Sequence, residues 1–249
     1  MLTLAVCSIG LLSKRFTEAI ESLDFRAYDA LRAMGVSLLP RIRYAVLPQL
    51  GPAFSSAVLY RFDVNIREAS VLGLVGAGGI GMSALIRYFL SKGKTVAGYD
   101  RTSSELTERL ITEGAQIHYE EDINLIPEEC KDKASTLVVY TPAVPQEHAE
   151  LTYFRENGFD IHKRSQVLGI ITRSSKGLCV AGTHGKTTTS TMAAHLLYQS
   201  HVGCTAFLGG ISKNYGTNLL LSATSPYTVI EADEFDRSFH WLSPWMSVI

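Results

Sequence analysis

The densest chemistry in the sequence lies in Gly177-Leu-Cys-Val-Ala-Gly-Thr-His-Gly-Lys-Thr-Thr-Thr-Ser190. A short apolar run, Leu178 to Ala181, predicts a buried strand, and the turn Gly182-Thr183-His184-Gly185 follows it. Lys186-Thr187-Thr188-Thr189 then opens a segment, Ser190 to Gln199, in which Met192, Leu196 and Leu197 fall at helical spacing. Strand, glycine turn and helix N-terminus together cradle a polyphosphate, because backbone N–H groups and the positive end of the helix dipole face the anion. The lysine adds a mobile positive charge for the terminal phosphates, and the hydroxyl after it is placed to ligate Mg²⁺. The general form of such a loop has glycine where this chain has Val180, so the loop is a shorter variant.

Two further stretches could serve the same chemistry. Thr228-Val-Ile-Glu231-Ala-Asp233-Glu234-Phe-Asp236 reads as an apolar strand ending in clustered carboxylates. Beside a phosphate loop such a strand tip holds Mg²⁺; on its own it is an exposed acidic turn. Upstream, the β-type run Val71 to Val75 leads into Gly76-Ala-Gly78-Gly79-Ile80-Gly81, which fits G-x-G-x-x-G. Met82 to Leu90 has helical spacing, and Lys94 to Gly98 predicts a second strand ending at Asp100. Asp100 lies about twenty residues past the last glycine, where a dinucleotide fold places its ribose-binding acid. By themselves these residues suit a nicotinamide-dependent dehydrogenase as well as any other nucleotide diphosphate.

The elements that must position these residues alternate between strand and helix, which predicts an α/β fold with parallel sheets. Leu106 to Glu113 is expected as a helix, Gln116 to Tyr119 as a short strand and Thr136 to Tyr140 as a buried one. Thr141-Pro142-Ala143-Val-Pro145 follows that strand, either as a ligand-binding loop or as a proline-stiffened turn. The chain has 249 residues, 46% hydrophobic and 19% charged, with a formal net charge of −1. That balance is globular and offers no basic surface for nucleic acid. Cys7, Cys130, Cys179 and Cys204 are scattered without ligand spacing and read as reduced thiols of a cytoplasmic chain. The histidines, among them His118, His148, His162, His195 and His201, show no metal-pair spacing and are expected to be surface or packing residues.

The octet Gly182 to Thr189 resembles the ATP loop of the Mur ligases, which build the peptide of bacterial cell-wall precursors, and the resemblance runs from about Gly76 to Ile249. It implies a Rossmann-like UDP-sugar-binding domain over residues 71–165 and part of a P-loop ATPase domain over 166–249. Its glycine turn (Gly76, Gly78, Gly79, Ile80, Gly81, Met82, Ser83), with Asp100, Thr141, Pro142 and Ala143, would receive the UDP-sugar in place of a nicotinamide cofactor. Gly209-Gly-Ile-Ser-Lys-Asn214-Tyr-Gly-Thr217-Asn218 is similar to the family's muramoyl-contacting loop, and Lys163 to Gly169 to a segment near the sugar, a solvated helix start being the alternative. Gly182, Thr183, His184, Gly185, Lys186, Thr187 and Thr188 would bind ATP. Thr187 and Glu231 would hold Mg²⁺, with Asp233 and Glu234 as neighbours. The implied reaction is ATP-dependent amide formation. The lactyl carboxylate of UDP-N-acetylmuramate is phosphorylated and L-alanine attacks the acyl phosphate, with Lys186, Thr187 and Glu231 as catalytic residues.

Residues 1–75 resemble something else, with a helical segment expected over residues 1–70. Asp29-Ala-Leu-Arg-Ala-Met-Gly35 with Val46-Leu-Pro48, then Leu59 to Arg67, is similar to the coupling segment of phosphonate-type ABC-transporter permeases, where a helix docks onto the ATPase subunit. This predicts a mainly helical segment through which alone membrane or ATPase contact could occur. Met1 to Leu12 is too short to span a bilayer, and Pro48, Pro52 and Arg61 interrupt the best longer candidate, Tyr44 to Phe62. The two resemblances meet at Gly76 to Gly81, implying a fused chain in which Val71 to Val75 supplies the first strand of the α/β part. At the other end, Trp245 to Ile249 reads as the start of another buried strand. The resemblance places further domains of the ligase beyond it, so binding without ligation is the expectation for this stretch.

Overall fold

The computed structural model describes residues 17, 20, 21, 23–50 and 71–249, and the chain divides into two compact units, Met1–Glu68 and Ala69–Ile249. The run Met1 to Leu12, Cys7, Pro52 and the segment Leu59 to Arg67 lie outside the described residues. In the first unit, α1 (Arg26–Ala33) ends before Gly35, whose φ of +76° suits a helix stop. After it, α2 (Leu38–Arg41) runs on into a π-helical turn, Ile42–Val46. Among the described residues no helix is long and apolar enough to cross a membrane.

The second unit contains two five-stranded sheets. The first takes the order β3-β2-β1-β4-β5 and is parallel throughout, with β1 (Val71–Val75), β2 (Thr95–Tyr99), β3 (Gln116–His118), β4 (Thr136–Tyr140) and β5 (Asp160–Lys163). The strand order reverses at β1, which pairs with both β2 and β4, so the run Val71 to Val75 does form the central strand. Leu137, Val138 and Val139 of β4 are buried, as a strand covered on both faces requires. On one face Phe154 packs with Ala97, Ile126, Cys130 and Val138.

Helix α3 (Ile80–Ser91) packs on β2 of this first sheet and also on the second sheet. Met82, Ser83, Ala84, Leu85, Ile86 and Phe89 are buried, so its apolar surface nearly encircles it, as a helix between two layers demands. Helix α4 (Glu105–Thr112) starts with a capping box between Ser104 and Thr107, and α5 spans Ala149–Glu156. Helix α6 (Arg164–Arg173) follows β5 without a loop and touches β4, β5 and the next strand, β6 (Lys176–Val180). Its residues Ser165 and Val167 to Thr172 are buried, so Lys163 to Gly169 enters a core helix and not a solvated one.

The second sheet takes the order β10-β6-β9-β7-β8, from β6 (Lys176–Val180), β7 (Thr205–Ser212), β8 (Thr217–Leu220), β9 (Tyr227–Glu231) and β10 (Met246–Val248). All its pairs are parallel except β7 with β8. Gly209 to Asn218, expected as a loop, is instead this hairpin: the turn is confined to Lys213–Gly216, and the flanking residues pair as strands. The expectation of a buried strand at Trp245 to Ile249 is corrected in one respect. A strand forms there, but it takes the sheet's outer edge beside β6, and Met246 and Val248 are exposed. Helix α7 (Lys186–Gln199) lies against the sheet through small residues, with Ser190 and Ala194 fully buried while Met192 and Leu196 face outward. Cys130, Cys179 and Cys204 are buried free thiols. Burial pushes Cys130 up to about 12 and the other two up to about 11, which leaves them unreactive.

Candidate functional site

The phosphate loop connects β6 to α7. Gly182 (φ +128°) and Gly185 (φ +77°) hold backbone conformations that a side chain would strain, and Gly185 is the residue that caps α7. The helix's first N–H groups therefore face the loop, where an anion is favoured. Lys186 folds back over it: Nζ donates to the Gly182 carbonyl at 2.8 Å and pairs with the Glu234 carboxylate at 2.9 Å. The hydrogen bond from Lys186 holds the Glu234 carboxyl below its ordinary range.

Glu231 ends β9 directly beside Val180, the last residue of β6, so strand register alone delivers its carboxylate to the loop. Thr187 Oγ1 donates to one carboxylate oxygen at 3.3 Å. The Ser190 hydroxyl and the Gly209 N–H donate to the other, both at 3.0 Å. Pairing between β7 and β8 is irregular from Phe207 to Ser212, and this bulge turns the Gly209 amide toward Glu231. A Cβ at Gly209 would strike the carboxylate. Neither Ser190 nor the role of Gly209 was predicted from sequence; the Gly209-Gly210 pair was the visible signal.

These groups fit Mg²⁺. The set is hard oxygen, one carboxylate and one hydroxyl, and Mg²⁺ takes its remaining ligands from phosphates and water. Among the described residues no three His, Cys, Asp or Glu side chains gather as a metal cage. His118 instead pairs with the buried Glu150 at 2.9 Å, and His195 bonds Tyr215 at 2.7 Å.

The first sheet carries its own cleft at the carboxyl ends of β1, β2 and β4, where the strand order reverses. Its volume is about 540 Å³, and Gly76, Gly79, Asp100, Thr141, Ala143 and His148 are among its walls. Gly76 has φ +90° and donates its N–H to the Tyr99 carbonyl at 2.9 Å. The Asp100 carboxylate accepts the Gly78 N–H, and a Cβ on Gly78 would collide with it. Asp100 is thus tied into the glycine turn. His148 is buried and lies 4.5 Å from the Tyr99 ring.

The remaining predicted residues fall elsewhere. Met82 and Ser83 are buried in α3. Asn218 is fully buried: its amide donates to the Ile80 carbonyl and to Ser83 Oγ, and accepts from Arg87 at 2.6 Å. It joins α3 to β8 and does not open into the cleft of the first sheet. Asn214 is exposed in the hairpin turn, and Thr217 Oγ1 accepts the Leu219 N–H. Pro142 lies beside Thr141 in the loop after β4.

Between the cleft and the phosphate loop lies a smaller cavity of about 60 Å³, whose walls include Gly81, Arg164, Ser165, Gly209, Glu231 and Asp233. Arg164, the first residue of α6, was not among the predicted site residues. Burial lowers the pKa of its guanidinium, and Asp233 and Glu231 oppose that shift.

The second unit thus contains two α/β layers, one with a glycine turn where its strand order reverses and one with a glycine-bracketed loop that opens a helix. The profile described as "Mur ligase family, catalytic domain" matches residues 72–176. Over 187 residues the chain is 79% identical to the UDP-N-acetylmuramate–L-alanine ligase of Phocaeicola vulgatus, covering 75% of this chain and 40% of that one. The enzyme of the same name from Parabacteroides distasonis is 68% identical over 186 residues, with the same coverage. Among solved structures, UDP-N-acetylmuramate-alanine ligase from Thermotoga maritima superposes with a TM-score of 0.62 at 32% identity, covering 70% of this chain and 39% of that one. Residues 72–176 thus carry a Mur ligase domain, and over the wider stretch of these matches the chain is similar to ligases of that family. It spans about 40% of the length of these curated relatives. The dehydrogenase and transporter readings find no support in these matches.

Proposed function

We propose that this chain supplies the UDP-sugar and ATP sites of a ligase that joins L-alanine to UDP-N-acetylmuramate through an acyl phosphate. One observation carries the reading: at a glycine-bracketed loop the neighbours Lys186 and Thr187 meet carboxylates from more than forty residues further along the chain, Lys186 pairing with Glu234 and Thr187 with Glu231. The names of relatives at 79% and 68% identity supply the substrates. Residues 71–165 form the UDP-sugar domain, with the diphosphate at Gly76 to Gly79 and the cleft beyond it. Residues 166–249 form the ATP-binding part.

Most of the catalysis in such a reaction is charge neutralisation and in-line positioning. Loop amides from Gly182 to Thr188 hold the polyphosphate, and Lys186 exchanges Glu234 for the migrating phosphoryl group. Thr187 and Glu231 hold Mg²⁺, which neutralises phosphate charge when bound. Ser190 and Gly209 keep the Glu231 carboxylate turned toward Thr187. ATP and nucleotide sugars are cytoplasmic compounds, which places the reaction in the cytoplasm.

Calorimetric titration of Mg²⁺-ATP into the wild-type chain and into Lys186→Ala tests the assignment. The variant is expected to lose at least about thirtyfold in affinity, the scale for removing one partner of a buried charge contact. Equal affinity in the two proteins would sink it.

A further inference from the structure

We infer that Arg164 receives the carboxylate that the ligase activates, and so selects nucleotide sugars that carry one; this rests on the function proposed above. The placement comes first. Arg164 begins α6 directly after β5, so the connection between the sheets carries its guanidinium into the gap between their two sites. A Cβ on Gly81 would collide with that guanidinium, so the glycine turn and Arg164 are packed as one surface. Across the cavity stand Gly209 and Glu231, and Glu231 is held by Thr187 and Ser190 of the phosphate-loop helix.

Size and charge then choose the guest. The diphosphate is taken by the turn beside the 540 Å³ cleft, and the polyphosphate by the loop after β6. The reaction involves one more anion, the carboxylate to be phosphorylated, which must lie between those two. A cavity of about 60 Å³ admits a group of that size and no sugar ring. The planar fork of an arginine pairs with a carboxylate through two parallel hydrogen bonds. Asp233 and Glu231 line the same cavity, Glu231 being held on its far side by Thr187, so the incoming carboxylate must displace their share of the guanidinium.

The test compares UDP-N-acetylmuramate with UDP-N-acetylglucosamine, which lacks the lactyl carboxylate, by calorimetry on the full chain. Wild type is expected to favour the acid. Arg164→Gln should lose roughly tenfold to a hundredfold in affinity for the acid and nothing for the neutral sugar, with Arg164→Lys in between. An undiminished preference in Arg164→Gln overturns the inference, as does an equal loss for both sugars. If that variant does not fold, the lysine variant decides: a preference no smaller than wild type overturns it. Wild type binding both sugars equally overturns the inference but leaves the proposed function standing. Wild type binding neither brings down that function, and the inference with it.

Discussion

At the scale of single residues, Gly209 shows how an absent side chain sets chemistry. Its N–H holds one oxygen of Glu231, and an added Cβ would meet both carboxylate oxygens and the carbon between them. Those atoms are the far end of a flexible side chain, so Gly209→Ala is relieved by turning Glu231 away, at little cost to the fold. The expected loss is therefore in metal-dependent binding. Mg²⁺-supported ATP affinity should fall roughly 10–100-fold, the scale for disturbing a ligand's supporting contacts. Nucleotide affinity in excess chelator should stay near wild type. Equal losses with and without Mg²⁺ would mean that Gly209 acts on the loop and not through Glu231. The two residues are 22 apart in sequence, and only a strand register brings them together. The loop itself was legible because glycine, lysine and hydroxyl act on neighbours within eight residues. Gly209, Ser190 and Arg164 were not, because each acts across a contact between elements.

At the scale of elements, α3 is the shared wall. Its buried face was anticipated from helical spacing, but a sequence pattern does not say that both sides will be covered. The β7–β8 hairpin supplies the second covering, and Asn218 pins it through the Ile80 carbonyl, Ser83 and Arg87, while Arg87 also clasps Glu113 at 2.7 Å. Asn218 was singled out from the sequence for a ligand role, and its amide is spent on this contact. Asn218→Ala removes three hydrogen bonds at about 0.5–1.5 kcal/mol each, while Ser83 still donates to the Ile80 carbonyl and Arg87 keeps Glu113. A total loss of about 2–4 kcal/mol is expected, seen as a lower urea midpoint with an unchanged slope. A midpoint within error of wild type would show the clamp to be idle. A reduced slope would show that the two sheets had begun to unfold separately.

At the scale of the whole second unit, three connections join the sheets: α3 between them, the Asn218 clamp, and α6 running from β5 to β6. Helix α6 is closed from outside by the segment around Trp241, since a Cβ on Gly169 would collide with the Trp241 carbonyl, and Arg173 donates to Ser243 at 3.1 Å. Residues 69–249 should therefore unfold as one cooperative body, although their two nucleotide sites lie on different sheets. The sequence contains two tryptophans, Trp241 and Trp245, and both lie on the second sheet's side, with Trp245 packed on Tyr227. Their fluorescence thus reports melting of the ATP-binding half, while UDP is expected in the cleft of the first sheet. If the halves are coupled, UDP at a hundred times its dissociation constant adds about 2.7 kcal/mol to the stability of both. The tryptophan-monitored melting temperature should then rise by several degrees, and should still do so in Lys186→Ala, where the ATP site is disabled. If UDP raises calorimetric stability but leaves the tryptophan transition in place, the sheets are independent bodies and the gap lined by Arg164 is not held rigidly. A common shift means that filling one site restrains the geometry of the other, which an in-line attack across that gap requires.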